Sequence, residues 1–283
     1  MIEKIAILTD SGSDVPKEIV KKLGIFVLPL QVNYKAQSFS DGVDIDAQTV
    51  YEGLSKEVPT TSLPTGQVVA DTLNKIEKQG YTHILAVVLS AGLSGTCNMI
   101  RLMAEQSKLP MRVIDTKNIG LGSGLSVIKA AQWANEGFSF IDLGDKVETI
   151  IEKTKVFFVL STLEYLQKGG RIGKVSAFVG QTLDLKPIIT CNDEGIYTTV
   201  TKVRGRKGSL TRIKEIAVTY AGEAKNINIA FAHGNAMDEL MKIKEDVLAK
   251  VPTIKNIYVG PVSPALGVHT GPGLIGIAVQ IED

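Results

Sequence analysis

Hydroxyl groups crowd two short stretches of this chain. The segment Pro59-Thr60-Thr61-Ser62-Leu63-Pro64-Thr65 packs four of them into six residues of a proline-constrained stretch. The second, Ser90-Ala91-Gly92-Leu93-Ser94-Gly95-Thr96, follows the apolar run Ile84 to Leu89 and precedes the helical run Asn98 to Gln106. That puts Ser94 at a strand-to-helix turn, where the unpaired N–H groups of a first helical turn favour an anion and Gly95 allows close approach to the backbone. Capping of the helix by Ser94 or Thr96 explains the same spacing, and the two roles can coexist. For the first segment a turn and N-cap is the simpler account. His269, one of three histidines, stands in Gly267-Val268-His269-Thr270-Gly271-Pro272-Gly273, which reads as a shaped loop rather than a helix interior. It can donate a hydrogen bond to an acid, although a lone loop histidine is more often structural. Arg171, in the basic turn Lys168-Gly169-Gly170-Arg171-Ile172-Gly173-Lys174, can meet an anion or belong to a solvated loop between helices.

Two other chemistries fit parts of these motifs. Gly92-Leu93-Ser94-Gly95-Thr96 is one residue short of G-x-S-x-G, so a serine-dependent lipid esterase or hydrolase using Ser94 and His269 is the enzymatic alternative. The last glycine is missing, and no acid between Ser94 and His269 stands in a recognisable strand-end motif to orient the histidine. Gly120-Leu121-Gly122-Ser123-Gly124 follows a strand, but Leu125 breaks the dinucleotide fingerprint, and no G-x-x-x-x-G-K-[ST] segment occurs. Helix packing accounts better for those glycines.

The elements that must position these residues follow from hydrophobic period. Apolar runs at Ile5 to Leu8, Ile84 to Leu89 and Arg112 to Ile114 alternate with helical stretches from about Val15, Thr65, Gly95 and Leu121, the pattern of a doubly wound parallel sheet. In such a sheet both hydroxyl loops fall at the carboxyl edge, where open α/β sheets bind ligands. An Asp142-led amphipathic helix spans residues 137 to 155. Beyond it the pattern shifts to paired strands: Pro187 to Cys191 and Ile196 to Val203 flank the turn formers Asn192-Asp193-Glu194-Gly195. Ile227 to Phe231 and Ile257 to Val259 bracket a helix, and Leu274 to Ile281 is a closing strand after a Gly- and Pro-dense loop from Gly260 to Gly273. The expectation is an α/β protein of two lobes, residues 1–160 with a parallel sheet and 161–283 of mixed α/β structure.

Bulk properties narrow the function. With 283 residues, 44% of them apolar, the chain can bury a sizeable core. Its 31 basic and 30 acidic side chains give a net charge of +1, which does not favour nucleic acid. Cys97 and Cys191 have no metal-ligand or disulfide spacing, so no metal site is expected. The start Met1-Ile2-Glu3-Lys4 lacks a signal-peptide apolar stretch, and a soluble, cytoplasmic protein is expected.

Taken in order, Thr9-Asp10-Ser11, Thr61-Ser62-Leu63-Pro64-Thr65, Leu93-Ser94-Gly95-Thr96, Gly169-Gly170-Arg171 and Gly267-Val268-His269-Thr270-Gly271-Pro272-Gly273 resemble the bacterial DegV family along nearly the whole chain. That family includes the fatty-acid-binding subunits of bacterial fatty acid kinases. The resemblance implies a long-chain fatty acid buried between or within two lobes, with no cofactor and no catalysis by this chain. It further implies Thr61, Ser62, Ser94 and the Gly95 amide as carboxylate-binding groups, with Arg171 and His269 near the same mouth. A separate ATP-dependent kinase subunit would then make the acyl phosphate for phospholipid synthesis, with transient membrane contact left open. The local basic concentration Lys202, Arg204, Arg206, Lys207 and Arg212 is a candidate docking surface for such a partner, although solvated helix-cap charges explain it nearly as well.

Overall fold

A computed structural model describes residues 3–178 and 184–282; Met1 and Ile2 of the N-terminal segment lie outside them. The first half runs β1 Ile5–Asp10, α1 Lys17–Leu23, β2 Phe26–Leu28, β3 Gln31–Asn33, β4 Ser38–Ser40, α2 Ala47–Gly53, β5 Thr60–Ser62, α3 Gly66–Lys78, β6 His83–Val88, α4 Thr96–Ala104 and β7 Met111–Asp115. It continues with α5 Leu121–Asn135, α6 Phe140–Glu152, β8 Thr154–Val159, α7 Glu164–Lys168, β9 Ile188–Cys191, β10 Tyr197–Thr201 and α8 Arg206–Ala221. The last elements are β11 Ile227–His233, α9 Met237–Leu248, β12 Ile254–Pro261, α10 Pro264–Thr270 and β13 Ile275–Ile281.

Three sheets result. Strands β2-β1-β6-β7 form the expected parallel sheet, with α3 and α4 packed on one face and α5 and α6 on the other. Strands β10-β9-β8-β13-β11-β12 form a mixed sheet in which only β11 and β12 run parallel. The turn at Asn192 to Gly195 joins β9 and β10 as an antiparallel hairpin, closed by a bond from Gly195 N to Asn192 O of 2.8 Å. The transition from the first sheet to the second therefore falls between β7 and β8.

Helix α5 lies between the two large sheets, touching β1 and β6 on one side and β8, β11 and β13 on the other. Its residues Leu121 to Ala131 are all buried, as befits a helix whose whole circumference faces protein. Its glycines make that fit: a Cβ on Gly124 would stand 2.4 Å from the Ser13 carbonyl oxygen. Lys129, on the same helix, makes a 3.0 Å ion pair with Glu282 just beyond β13.

Two expectations fail. The segment around Thr61 is not a loop at the edge of the parallel sheet. Residues Thr60–Ser62 form β5, which pairs antiparallel with β3 in a separate β4-β3-β5 sheet, Val32 facing Thr61. Backbone pairing with β3 outweighs the turn-forming character of the flanking prolines. Nor is Gly260 to Gly273 wholly irregular, because Pro264–Thr270 is helical and His269 sits in its last turn. Proline at N1, the Ser263 cap onto Leu266 N, and Gly271 at the other end delimit this helix.

The second sheet has one asymmetry that matters for a ligand. On β11 and β13 the residues facing α8 and α9 are large: Ile229, Phe231, Ile275, Ile277 and Val279. Those facing α5 and α10 are small: Ala230, Ala232 and Ala278, with Gly276 paired to Ala232. A sheet with bulk on one face and methyl groups on the other leaves space on the second.

Candidate functional site

The small inner face of the sheet forms one wall of a narrow chamber of about 30 Å³, closed by Val156, Phe158, Leu266 and Leu274. Ile119, Tyr197 and Leu266 are shared with a wider chamber of about 250 Å³, so the two adjoin across these side chains. Thr61, Ser62, Ser94, Arg171 and His269 line the wider one. The structure thus gathers five of the six predicted site residues, from β5, the β6–α4 turn, the segment after α7, and α10. Gly95 is not among the lining residues; it is the residue before α4 and lies against Leu63.

Thr61 Oγ1 and His269 Nε2 are 2.7 Å apart. Burial, reinforced by the nearby Arg171 charge, pushes the His269 imidazole down to about 4, so it is neutral at physiological pH. Its Nδ1 is buried and has no hydrogen-bond partner. Ser94 Oγ is 2.9 Å from Thr96 Oγ1 and accepts from Thr96 N, the first residue of α4, at 3.3 Å, while Ser94 also lines the chamber; Gly95 is the N-cap. Asn33 donates to Ser62 Oγ at 3.1 Å. Arg171 donates to the carbonyls of Gly169 at 2.7 Å and Leu93 at 3.5 Å, and among the described residues no carboxylate lies within ion-pair distance of it.

This arrangement holds an anion better than it activates a nucleophile. Ser94 is engaged with Thr96, His269 with Thr61, and no acid orients Nδ1, so the relay a serine hydrolase requires is not assembled. What the chamber does offer is one guanidinium, the hydroxyls of Thr61, Ser62 and Ser94, and one neutral imidazole, with Ser94 two residues before the nine-residue α4. Among the described residues no group of three or more His, Cys, Asp or Glu side chains is arranged to hold a metal ion. Both cysteines are free and buried.

Behind the mouth lies a set of aspartates, Asp10 and Asp41 buried and Asp14 half-buried, that explains the Thr9-Asp10-Ser11 segment. Asp10 accepts from Gly12 N and Leu89 N, both at 2.9 Å, tying β1 to the strand end that leads to Ser94. Burial raises it to about 7 against the pull of those two donors. Asp41 accepts from Ser11 Oγ at 2.5 Å and from Ala265 N at 2.9 Å, and Asp14 accepts from Ser263 N at 2.9 Å. Two acids from the first lobe thus hold the beginning of α10 and, through it, the position of His269. Sequence reading missed Asp14, Asp41 and the lining residue Tyr197. The only available signal was the alternation that turns Tyr197 inward on β10, where Phe158 meets its ring edge-on.

No helix among the described residues is long and apolar enough to cross a membrane. Three comparisons bear on descent. A DegV domain-containing protein of Clostridium acetobutylicum is 41% identical over 279 residues, 98% of this chain and 99% of the relative. Among solved structures, a DegV family protein of Thermus thermophilus described for its fatty acid binding superposes with a TM-score of 0.93 at 30% identity, covering 98% of this chain and 99% of that one. DegV of Bacillus subtilis, a fatty acid binding protein, gives a TM-score of 0.88 at 28% identity, covering 99% of this chain and 100% of that one. Residues 4–282 match the family described as "Uncharacterised protein, DegV family", and the chain belongs to the DegV family.

Proposed function

We propose that this protein binds a long-chain fatty acid, with the carboxylate in the wider chamber and the tail in the narrow one, and presents that carboxylate to a separate ATP-dependent kinase subunit that converts it to an acyl phosphate. The observation that carries the reading is the adjacency of the two chambers: a polar chamber, whose arginine has no carboxylate partner among the described residues, shares three wall residues with a mainly apolar slot. The fatty acid binding described for the Thermus thermophilus and Bacillus subtilis proteins supports the ligand class.

Enclosing roughly fifteen methylenes at about 0.8 kcal/mol each supplies on the order of 12 kcal/mol before ordering costs, so the tail dominates affinity. The narrow chamber accepts a tail only if its aliphatic lining parts. A carboxylate buried without donors would forfeit much of the gain. Arg171 supplies the countercharge, Ser94 and Thr61 turn their hydroxyl protons toward the ligand, Ser62 flanks them from β5, and His269 orients Thr61. The Gly95 amide, at the head of α4, adds to the positive end of that helix.

Solvent extraction of the purified protein followed by mass spectrometry tests the reading. The expected result is a long-chain fatty acid close to one per chain. No fatty acid in the extract, together with no uptake on incubation, overturns it.

A further inference from the structure

Asp14 stands where an apolar slot has no use for a carboxyl group. Its side chain lines the narrow chamber among Ile119, Leu121, Val156, Ala230 and Leu274. One oxygen, Oδ1, accepts from Ser263 N at 2.9 Å. The other, Oδ2, is buried and has no hydrogen-bond partner. Oδ2 points at Gly120, lying 3.1 Å from where a Cβ would be; Gly120 has a φ of +55° and lines the chamber but not the outer groove on the far side of Asp14. A glycine at that place therefore gives the oxygen access to the slot.

Burial, with Asp41 and Asp10 close by, holds the Asp14 carboxyl well above the usual carboxylate range, a direction that favours the neutral acid, which can both donate and accept. The cluster of three aspartates is explained by its backbone donors and the Ser11 hydroxyl, except for this one oxygen. Buried polar groups in folded proteins find partners, and an unpaired one facing a ligand chamber marks a place where the ligand supplies the partner.

We infer that Asp14 forms a second polar subsite, within the tail chamber, that recognises a hydroxyl group carried on the acyl chain, so that hydroxylated long-chain fatty acids are preferred ligands. The inference rests on the proposed fatty-acid reading and adds a tail group to the head group already argued. The hydroxyl donates to or accepts from Oδ2 and gives this oxygen the bond the wall does not provide. A hydroxyl at most other carbons meets apolar side chains, the Thr270 hydroxyl being already bonded to Leu266 O at 3.0 Å, and loses its hydrogen bonds to water.

Equilibrium binding to the delipidated full chain, measured by displacement of a fluorescent fatty acid, decides the matter with stearic acid and a panel of stearic acids hydroxylated at successive carbons. One positional isomer is expected to bind at least as tightly as stearate, and the others about tenfold or more weaker. Asp14→Ala should collapse the ratio between the favoured isomer and stearate by about tenfold, whereas Asp14→Asn, which tolerates the left-handed backbone of φ +51° and retains an N–H donor, should preserve it. If every isomer is uniformly weaker than stearate in the unmodified protein, as a wall satisfied by trapped water predicts, or if the favoured isomer keeps its advantage in Asp14→Ala, the subsite is overturned. Should Asp14→Ala not fold, the unmodified protein and Asp14→Asn still decide between these outcomes. Failure of stearate itself to bind overturns the fatty-acid reading along with the subsite; binding of stearate without positional preference overturns the subsite alone.

Discussion

His269 shows how a single side chain couples the mouth to stability. Its ordinary value is near 6.5, while in the folded chain burial holds it at about 4. Between those values the unfolded chain takes up a proton that the folded chain refuses, so the stability His269 permits is fully present above about pH 6.5 and is lost as pH falls toward about 4. Comparing urea unfolding at about pH 7 and about pH 4.5, the unmodified protein should lose on the order of 2–3 kcal/mol more than His269→Gln. Equal losses in the two proteins would mean that the imidazole titrates normally. The residues that converge here were partly legible beforehand. Ser94, Thr61, Ser62, Arg171 and His269 each belong to a short motif rich in hydroxyl, glycine or basic residues, and those motifs occur in a recognisable order. Asp14 and Asp41 were not legible, because an acid among turn residues looks like a surface cap until its partners Ser263 N and Ala265 N, more than two hundred residues away, are known.

At the scale of elements, the period of the parallel sheet was readable because its strands are continuous apolar runs buried on both faces. The three-residue strands β3, β4 and β5 were not, since so short a segment has no period to read. Helix α10 was obscured by composition: proline and glycine mark its ends, and over seven residues the ends are most of the helix. The alternation of large and small residues on β11 and β13 was visible in the sequence and carries a consequence for ligand choice. Ala278 lies opposite Ala230 in the register of these strands, on the face that lines the slot, and the next pair, Asn228 and Gln280, is bonded at 3.0 Å and forms a polar layer below. On the proposed reading Ala278→Leu fills the slot above that layer. The preferred acyl chain should then shorten by about two to four carbons, with affinity for stearate falling by about tenfold or more. A chain-length profile of the extracted or titrated fatty acids checks this, and an unchanged profile would place the tail elsewhere.

The whole molecule has its polar mouth where elements of both lobes meet, and any partner must reach it there. Three cations of the proposed basic docking surface have acidic partners: Arg204 with Asp184 at 3.2 Å, Arg206 with Glu239 at 2.7 Å and Arg212 with Glu215 at 2.8 Å. The field over that patch is weaker than the linear run of charges suggested, and solvent screens what remains. If it nonetheless steers an acidic kinase surface, Arg204→Glu combined with Arg206→Glu should lower acyl-phosphate formation with the partner kinase by about threefold to tenfold and flatten its salt dependence. Unchanged rate and salt dependence would move the docking surface elsewhere. The change from a parallel to a mixed sheet was legible from the change in strand grammar; the role of α5 as the shared layer between both sheets was not, because a helix buried all round has no polar face to orient it.

The order in which a ribosome delivers the chain gives the arrangement of the second sheet one more meaning. Strand β13 follows both β8 and β11 in the chain, yet it lies between them, pairing with both. All four strands of the parallel sheet are present once Asp115 has emerged, and that layer can organise during synthesis. The mixed sheet cannot join its two halves until Ile275–Ile281 arrives, and α10, with His269, comes immediately before. Until that strand docks the tail slot lacks one wall, and on the proposed reading a nascent chain cannot hold a lipid before then.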